Sequence, residues 1–85
     1  MRDIKELFAD LVSFCNSIKT KDYSPLDKDK DFKRFQSLRN EVIQHFTGNP
    51  LFNKPIYLTS SFNYAYEDIR FACGEMIQLI MEKGI

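Results

Sequence analysis

Apolar side chains recur at helical spacing in three stretches of this chain, residues 2–19, 31–46 and 60–83. In each stretch they return every three to four residues, so they collect on one face of a helix that packs against a core. One short run, residues 56–59, could form a strand, but no second strand is available to pair with it. We therefore predict an all-α fold, a three-helix antiparallel bundle that forms a single domain over residues 1–85.

The first and third predicted helices each have an apolar face typical of a core element. In the first helix this face consists of Ile4, Leu7, Phe8, Leu11, Val12, Phe14, Cys15 and Ile18. In the third helix, which Ser60 or Ser61 can cap, it consists of Phe62, Ala65, Tyr66, Ile69, Ala72, Cys73, Met76, Leu79 and Ile80. Phe71 and Met81 fall outside that face, which indicates either an ordinary exposed surface or a second contact surface, most simply with another subunit.

The start of the second helix has more than one interpretation. Ser24 followed by Pro25 is typical of an N-cap and a first helical residue, whereas Asp29 or Asp31 can also serve as the cap. The alternating charges of residues 27–31 are typical of a solvated surface segment. The helix is expected to end at Gly48, and the loop that follows, with its two prolines, lies next to any site near the helix end.

The second helix contains one clear exception to the separation of apolar and polar residues. On a helical wheel, Arg39 lies in the middle of an apolar arc formed by Phe32, Phe35, Leu38, Val42, Ile43 and Phe46. His45, the only histidine, lies at the edge of this arc. Burying an unpaired guanidinium would cost several kcal/mol, so Arg39 requires a partner, a hydrated crevice or an interface.

Arg39 and His45 have a structural and a catalytic interpretation. In the structural one, Arg39 extends to a carboxylate across the bundle and His45 caps the helix, where the dipole stabilises its positive charge. In the catalytic one, the two cleave RNA without a metal, because histidine can transfer protons near neutral pH and arginine can hold phosphate oxygens. Asn40 could orient a hydroxyl or the imidazole.

A single histidine cannot be both acid and base within one chain, so the catalytic interpretation favours a homodimer. A twofold dimer that pairs the second helix with its mate would bring two Arg39 and two His45 side chains into one cleft. Within one helix, six residues separate them by about 120° and about 9 Å along the axis. They can line one groove only if the helix end is distorted or the dimer closes around them.

Composition limits the possible partners, cofactors and cellular location of the protein. Twelve basic and twelve acidic residues give zero net charge, which argues against a protein that mainly coats nucleic acid. Cys15 and Cys73 match no zinc spacing, so we expect reduced core cysteines rather than a disulfide or redox pair, and no metal or cofactor. With no signal peptide and no long apolar run, a cytoplasmic protein without a membrane partner is expected.

The segment Leu38-Arg39-Asn40-Glu41-Val42-Ile43-Gln44-His45 resembles the signature of the HEPN superfamily, in which an Arg, usually followed by a polar residue, precedes a His. The resemblance spans residues 29–83 and includes the loop after His45. It implies a helical domain that commonly dimerises and often acts as a metal-independent ribonuclease in toxin–antitoxin, phage-defence or CRISPR systems. Arg39 and His45 match the catalytic pair and Asn40 the adjacent polar position, although most members have four or more helices.

Two functions follow as expectations. The first is a dimeric, metal-independent endoribonuclease of toxin or phage-defence type, with RNA as its substrate and Arg39, Asn40 and His45 as its catalytic residues. The second is a non-catalytic helical interaction module, such as a regulator, an antitoxin-like subunit or a phage-encoded inhibitor, which binds a protein partner. Arg39 in the middle of the apolar arc, with Asn40 and His45, favours the first, which we rank slightly ahead, whereas the small size, the neutral charge and the extra Phe71 and Met81 surface favour the second.

Overall fold

A computed structural model describes residues 2–21, 26–53 and 62–83 of the chain. Three helices dominate it: α1 (Ile4–Ile18), α2 (Lys33–His45) and α3 (Phe62–Glu82). They pack as a three-helix bundle, and the described ranges contain no strand, which confirms the all-α prediction. The run at 56–59 that could have formed a strand lies outside the described residues.

The beginning of α1 is fixed by a side-chain cap. Asp3 accepts a hydrogen bond from the backbone N–H of Lys5 at 2.8 Å, and Glu6 lies in the first turn, where a negative charge is stabilised by the helix dipole. One face of α1 is buried through Leu7, Leu11, Phe14 and Ile18, as its apolar spacing predicts. The helix then tightens into a 3₁₀ turn over Lys19–Lys21.

The start of α2 differs from each start considered in the sequence. Asp27 caps the helical turn that leads into α2, because its carboxylate accepts from the N–H groups of Asp29 and Lys30 at 3.1 Å each, whereas α2 itself begins after Phe32 without a side-chain cap. The N–H of Phe32 bonds the carbonyl of Asp27 at 3.1 Å, five residues back, which makes Lys28–Phe32 a π-helical turn leading into α2. Asp29 and Asp31 are therefore not caps, and Ser24 lies outside the described residues.

The expectation that residues 27–31 form a wholly solvated segment is wrong at Asp31, which is 7 % exposed. Asp31 is buried because Tyr66 and Lys21 satisfy its carboxylate, as described below. The alternating charges alone therefore predict the wrong burial for Asp31.

The core lies between the three helices, with α1 in contact with both α2 and α3. Burying each large apolar side chain contributes about 1.5–3 kcal/mol. The contiguous core consists of Leu7, Leu11, Phe14, Ile18, Phe35, Leu38, Val42, Tyr66, Ile69, Cys73, Met76 and Ile80.

Contacts at the two ends of the bundle define the helix directions. At one end, Lys21 after α1 pairs with Asp31 before α2, and Asp31 also contacts Tyr66 in the second turn of α3. At the other end, Arg2 before α1 pairs with Glu41 in the last part of α2. Helix α1 is therefore antiparallel to both α2 and α3.

The end of α2 leads into a compact turn. The N–H of Phe46 bonds the carbonyl of Val42 at 3.0 Å, and Gly48 adopts the left-handed conformation, φ +84°, that terminates many helices. A 3₁₀ turn follows over Pro50–Asn53 and places Phe52, partly buried, against the core. This turn is the described part of the proline-containing loop.

Candidate functional site

Arg39 occupies a half-buried position on α2, next to the turn that follows the helix. Its guanidinium carbon lies 5.5 Å from the centre of the Phe52 ring, within the range of a cation–π contact. Among the described residues Arg39 forms no salt bridge, so the predicted partner is an aromatic ring and not a carboxylate. A guanidinium held this way keeps hydrogen-bond donors available for an anion.

Asn40, the second predicted site residue, is exposed. As the next residue on a regular helix, it is rotated by about 100° from Arg39. The two side chains therefore leave α2 in different directions, and that of Asn40 faces solvent.

His45, the third predicted site residue, is the last residue of α2 and is half-buried. Its Nε2 lies 2.8 Å from the backbone carbonyl oxygen of Arg2, in the segment that precedes α1. Since a carbonyl can only accept, this geometry requires a proton on Nε2, and in the neutral ring it leaves the lone pair on Nδ1. The hydrogen bond of His45 therefore goes to another part of the chain and not to the terminal carbonyls of α2.

The structure does not bring Arg39 and His45 together through a hydrogen bond in the described part of the chain. Helix α2 is continuous from Lys33 to His45, so its end is not distorted between the two residues. Their separation therefore stays near the helical value of about 9 Å along the axis. A distorted helix end therefore does not bring the two side chains into one groove. The other alternative, a second chain that closes around them, is compatible with this helix.

A charged network next to His45 was not predicted from the sequence. The guanidinium of Arg2 forms a two-pronged pair with Glu41, with Nε to Oε1 at 2.8 Å and Nη2 to Oε2 at 2.7 Å. Arg2 also pairs with Asp10, which Arg34 approaches to 3.4 Å. The antiparallel direction of α1 and α2 is the signal that could have placed Arg2 beside Glu41.

Arg2 favours the ionised form of both carboxylates. Its hydrogen bond lowers the pKa of Glu41 and that of Asp10, although partial burial opposes each shift. Both groups therefore stay ionised, and Arg2 together with Arg34 balances their two negative charges. Glu41 thus contributes little uncompensated negative charge near Arg39 and His45.

A second polar cluster, also missed in the sequence, joins the starts of α2 and α3. The Tyr66 hydroxyl donates to Asp31, the Lys21 ammonium donates to the same carboxylate at 3.0 Å, and the N–H of Asp27 donates to the Tyr66 oxygen at 3.2 Å. Burial raises the pKa of Asp31, but the bonds from Tyr66 and Lys21 outweigh it, so the net shift is downward. This cluster lies at the opposite end of α2 from His45 and ties the helices together.

The described residues include no group of three His, Cys, Asp or Glu side chains that could hold a metal ion. Cys15 and Cys73 are both free thiols. Burial, with a smaller effect of Cys15, raises the pKa of the Cys73 thiol to about 12, so it stays protonated. In the part of the chain that the structure describes, no helix is long and apolar enough to cross a membrane.

Comparison with protein-family models, with curated proteins and with solved structures finds no match to this chain.

Proposed function

We propose that this chain is a cytoplasmic, metal-independent endoribonuclease that acts as a homodimer, of the HEPN-like toxin or phage-defence type. The observation that carries the proposal is Arg39, whose half-buried guanidinium contacts Phe52 but no carboxylate among the described residues. A permanent positive charge in an apolar stripe, without a counter-ion in the described ranges, is suited to an anionic ligand such as a phosphodiester.

In the proposed reaction, the 2′-oxygen of the RNA attacks the adjacent phosphorus and the bond from phosphorus to the 5′-oxygen breaks. One His45 accepts the proton of the 2′-hydroxyl, and a second His45 donates a proton to the departing 5′-oxygen. Arg39 holds the phosphate and stabilises the charge that develops on its oxygens. Asn40 orients a hydroxyl at the rim of the site.

The bond from Nε2 to the Arg2 carbonyl supports the role of His45. It leaves Nδ1 of the neutral ring without a hydrogen-bond partner among the described residues, so this atom is available to accept a proton. Two observations support the proposed dimer: the chain has one histidine, and the continuous α2 keeps Arg39 and His45 apart within one copy.

The test is RNA cleavage by the purified protein in excess EDTA. We expect wild type to cleave RNA and leave 2′,3′-cyclic phosphate ends, because the 2′-oxygen is the nucleophile. His45→Ala and Arg39→Ala should each lose about 100-fold or more in rate. Gln44→Ala and Lys33→Ala, which alter exposed neighbours on α2, serve as matched controls and should retain activity.

Two results would contradict the proposal. One is the absence of cleavage by a folded wild-type protein. The other is a nuclease activity that persists in His45→Ala, because it would then belong to a contaminant or to a different site.

A second function is favoured by the exposed side of α3. Phe71 is 70 % exposed and Met81 is 63 % exposed. Gly74 lies between them on the same side, and a Cβ added there would meet no atom within 4 Å. Glycine within a helix costs about 1 kcal/mol relative to alanine, and no packing against the residues that the structure describes requires a glycine at position 74.

These features support a non-catalytic interaction module in which α3 binds a protein partner, as a regulator, an antitoxin-like subunit or an inhibitor would. Pull-down from the native host should then yield a stoichiometric partner that a Phe71→Ser and Met81→Ser double variant no longer retains. A variant with Gln36→Ser and Lys33→Ser, on exposed positions of α2, is the control. Retention of the partner by the α3 variant would contradict this function.

A further inference from the structure

We propose that Arg2 is a positioning residue for His45: its side chain is anchored on Glu41, and this anchor holds its backbone carbonyl against the His45 ring. The role of this contact in catalysis rests on the proposed function, whereas the contact itself can be tested without it.

The first step of the argument is the spacing on α2. Glu41 and His45 are four residues apart and therefore lie one above the other on the same helix face. Arg2 contacts both, through its guanidinium to Glu41 at 2.7 and 2.8 Å and through its carbonyl oxygen to His45 Nε2 at 2.8 Å. A single residue thus spans one turn of α2.

The second step is the rigidity of Arg2 itself. It immediately precedes Asp3, the N-cap of α1, so the peptide that carries its carbonyl is attached to a capped helix. Its guanidinium also pairs with Asp10, two turns further along α1. Two-pronged arginine–carboxylate pairs fix geometry as well as charge, so the carbonyl is held at a defined place relative to α2.

The third step is the effect on the imidazole. Because Nε2 must donate to this carbonyl, the ring is held in one orientation, with Nδ1 as the remaining acceptor. The same arrangement, a ring nitrogen fixed by an acceptor so that the other nitrogen is available, orients histidines at many functional sites. Arg2 would therefore support the proton transfer by His45 without touching the RNA.

The test uses NMR, since the single histidine gives one set of imidazole signals. We expect the Nε2 proton of wild type to be protected from exchange with water and to show a nuclear Overhauser effect to the protons of Arg2 or Asp3. In Arg2→Ala its exchange should accelerate about tenfold, as expected for the loss of a hydrogen bond. Arg34→Ala is the matched control, because Arg34 shares Asp10 with Arg2 but does not contact His45.

Glu41→Gln provides a second variant that removes the charged anchor and leaves the shape of the side chain, in case Arg2→Ala does not fold. It should also accelerate exchange of the Nε2 proton, as Arg2→Ala does. Protection that is unchanged in both variants, or lost equally in Arg34→Ala, would overturn the positioning role.

The catalytic readout separates this inference from the proposed function. If the chain cleaves RNA, Arg2→Ala should lower kcat about tenfold or more with little change in KM, because the RNA contact through Arg39 remains. If the wild type does not cleave RNA but the exchange results hold, the positioning of His45 by Arg2 stands and only the nuclease proposal fails. An active enzyme whose kcat is unaffected by Arg2→Ala would overturn the role of this contact in catalysis and leave the nuclease proposal intact.

Discussion

The hydroxyl of Tyr66 in α3 donates a hydrogen bond to Asp31, which lies 35 residues earlier at the start of α2. Both side chains are buried, and the Asp31 carboxylate is also bonded by Lys21, which follows α1. One carboxylate thus connects parts of the chain that belong to all three helices. Since a buried charge without partners is costly, the packing of this end of the bundle depends on the whole cluster.

Replacing Tyr66 by Phe should lower the free energy of unfolding by about 1.5–3 kcal/mol, the usual contribution of a hydrogen bond to a charged group. The ring and its packing remain, so the loss reports on the hydroxyl. Urea unfolding monitored by circular dichroism measures it. An Asp31→Asn and Tyr66→Phe double variant should lose less than the sum of the two single variants, whereas full additivity would show that the two groups do not interact.

Asp31 should also make the stability pH-dependent. Its pKa is lower in the folded protein than the value of about 3.9 expected in the unfolded chain. As the pH falls, the unfolded chain therefore binds the proton before the folded protein does. The stabilisation is therefore complete above about pH 5 and decreases as the pH falls towards the folded pKa. Asp10 and Glu41 shift in the same direction, but they are more exposed, so salt screens their effect.

Unfolding free energies measured in urea between about pH 6 and about pH 3 test this expectation. Asp31→Asn should flatten the pH dependence over this interval, and Asp29→Asn, an exposed carboxylate in the same turn, should not. An identical slope for wild type and Asp31→Asn would contradict the assignment.

Arg39→Ala should cost only about 0.5–1 kcal/mol of stability, because the side chain loses a cation–π contact with Phe52 and breaks no ion pair in the described part of the chain. Leu38→Ala, at the preceding and fully buried position, should cost about 2–5 kcal/mol. Thermal or urea unfolding of the two variants gives the comparison. A loss of about 3 kcal/mol or more for Arg39→Ala would indicate a buried structural charge and would weaken its assignment to an anion site.

The two cysteines should react at different rates with a thiol reagent. Cys73 is fully buried and burial raises its pKa to about 12, whereas Cys15 is partly exposed. Because the thiolate is the reactive form, iodoacetamide should alkylate Cys15 first under native conditions and Cys73 only after unfolding. Mass spectrometry of digested protein gives the order. Equal rates in the folded protein, or a disulfide between the two residues, would contradict it.

The hydrophobic pattern was sufficient to predict the three helices, because helical spacing determines which residues face the core. Leu7, Leu38 and Ile69 are all buried where the pattern placed them, and Phe71 and Met81 are exposed as their spacing predicts. The start of α2 was not predictable in the same way. Ser24, Asp27, Asp29 and Asp31 are all residues that can cap a helix, and the local sequence does not show that the N–H of Asp27 bonds the Tyr66 hydroxyl of α3.

In the candidate site, too, some features could be predicted from the sequence and others depend on tertiary contacts. The polar outlier Arg39 and its neighbours were visible in the sequence because they break the helical pattern. The contact of Arg39 with Phe52 and that of His45 with the Arg2 carbonyl depend on how a loop and the segment before α1 pack on α2. The pairing of Arg2 with Glu41 was missed for the same reason, since each residue by itself is an ordinary charged side chain.

The most direct test of the central claim is to measure RNA cleavage in EDTA over a range of protein concentrations and the fraction of dimer in the same samples. We predict that cleavage per chain rises in proportion to the dimer fraction and is lost in His45→Ala at every concentration, because each reaction needs a histidine from both copies. Cleavage that is absent when the wild-type protein is fully dimeric, or that proceeds equally well in the monomer, would contradict the proposed mechanism.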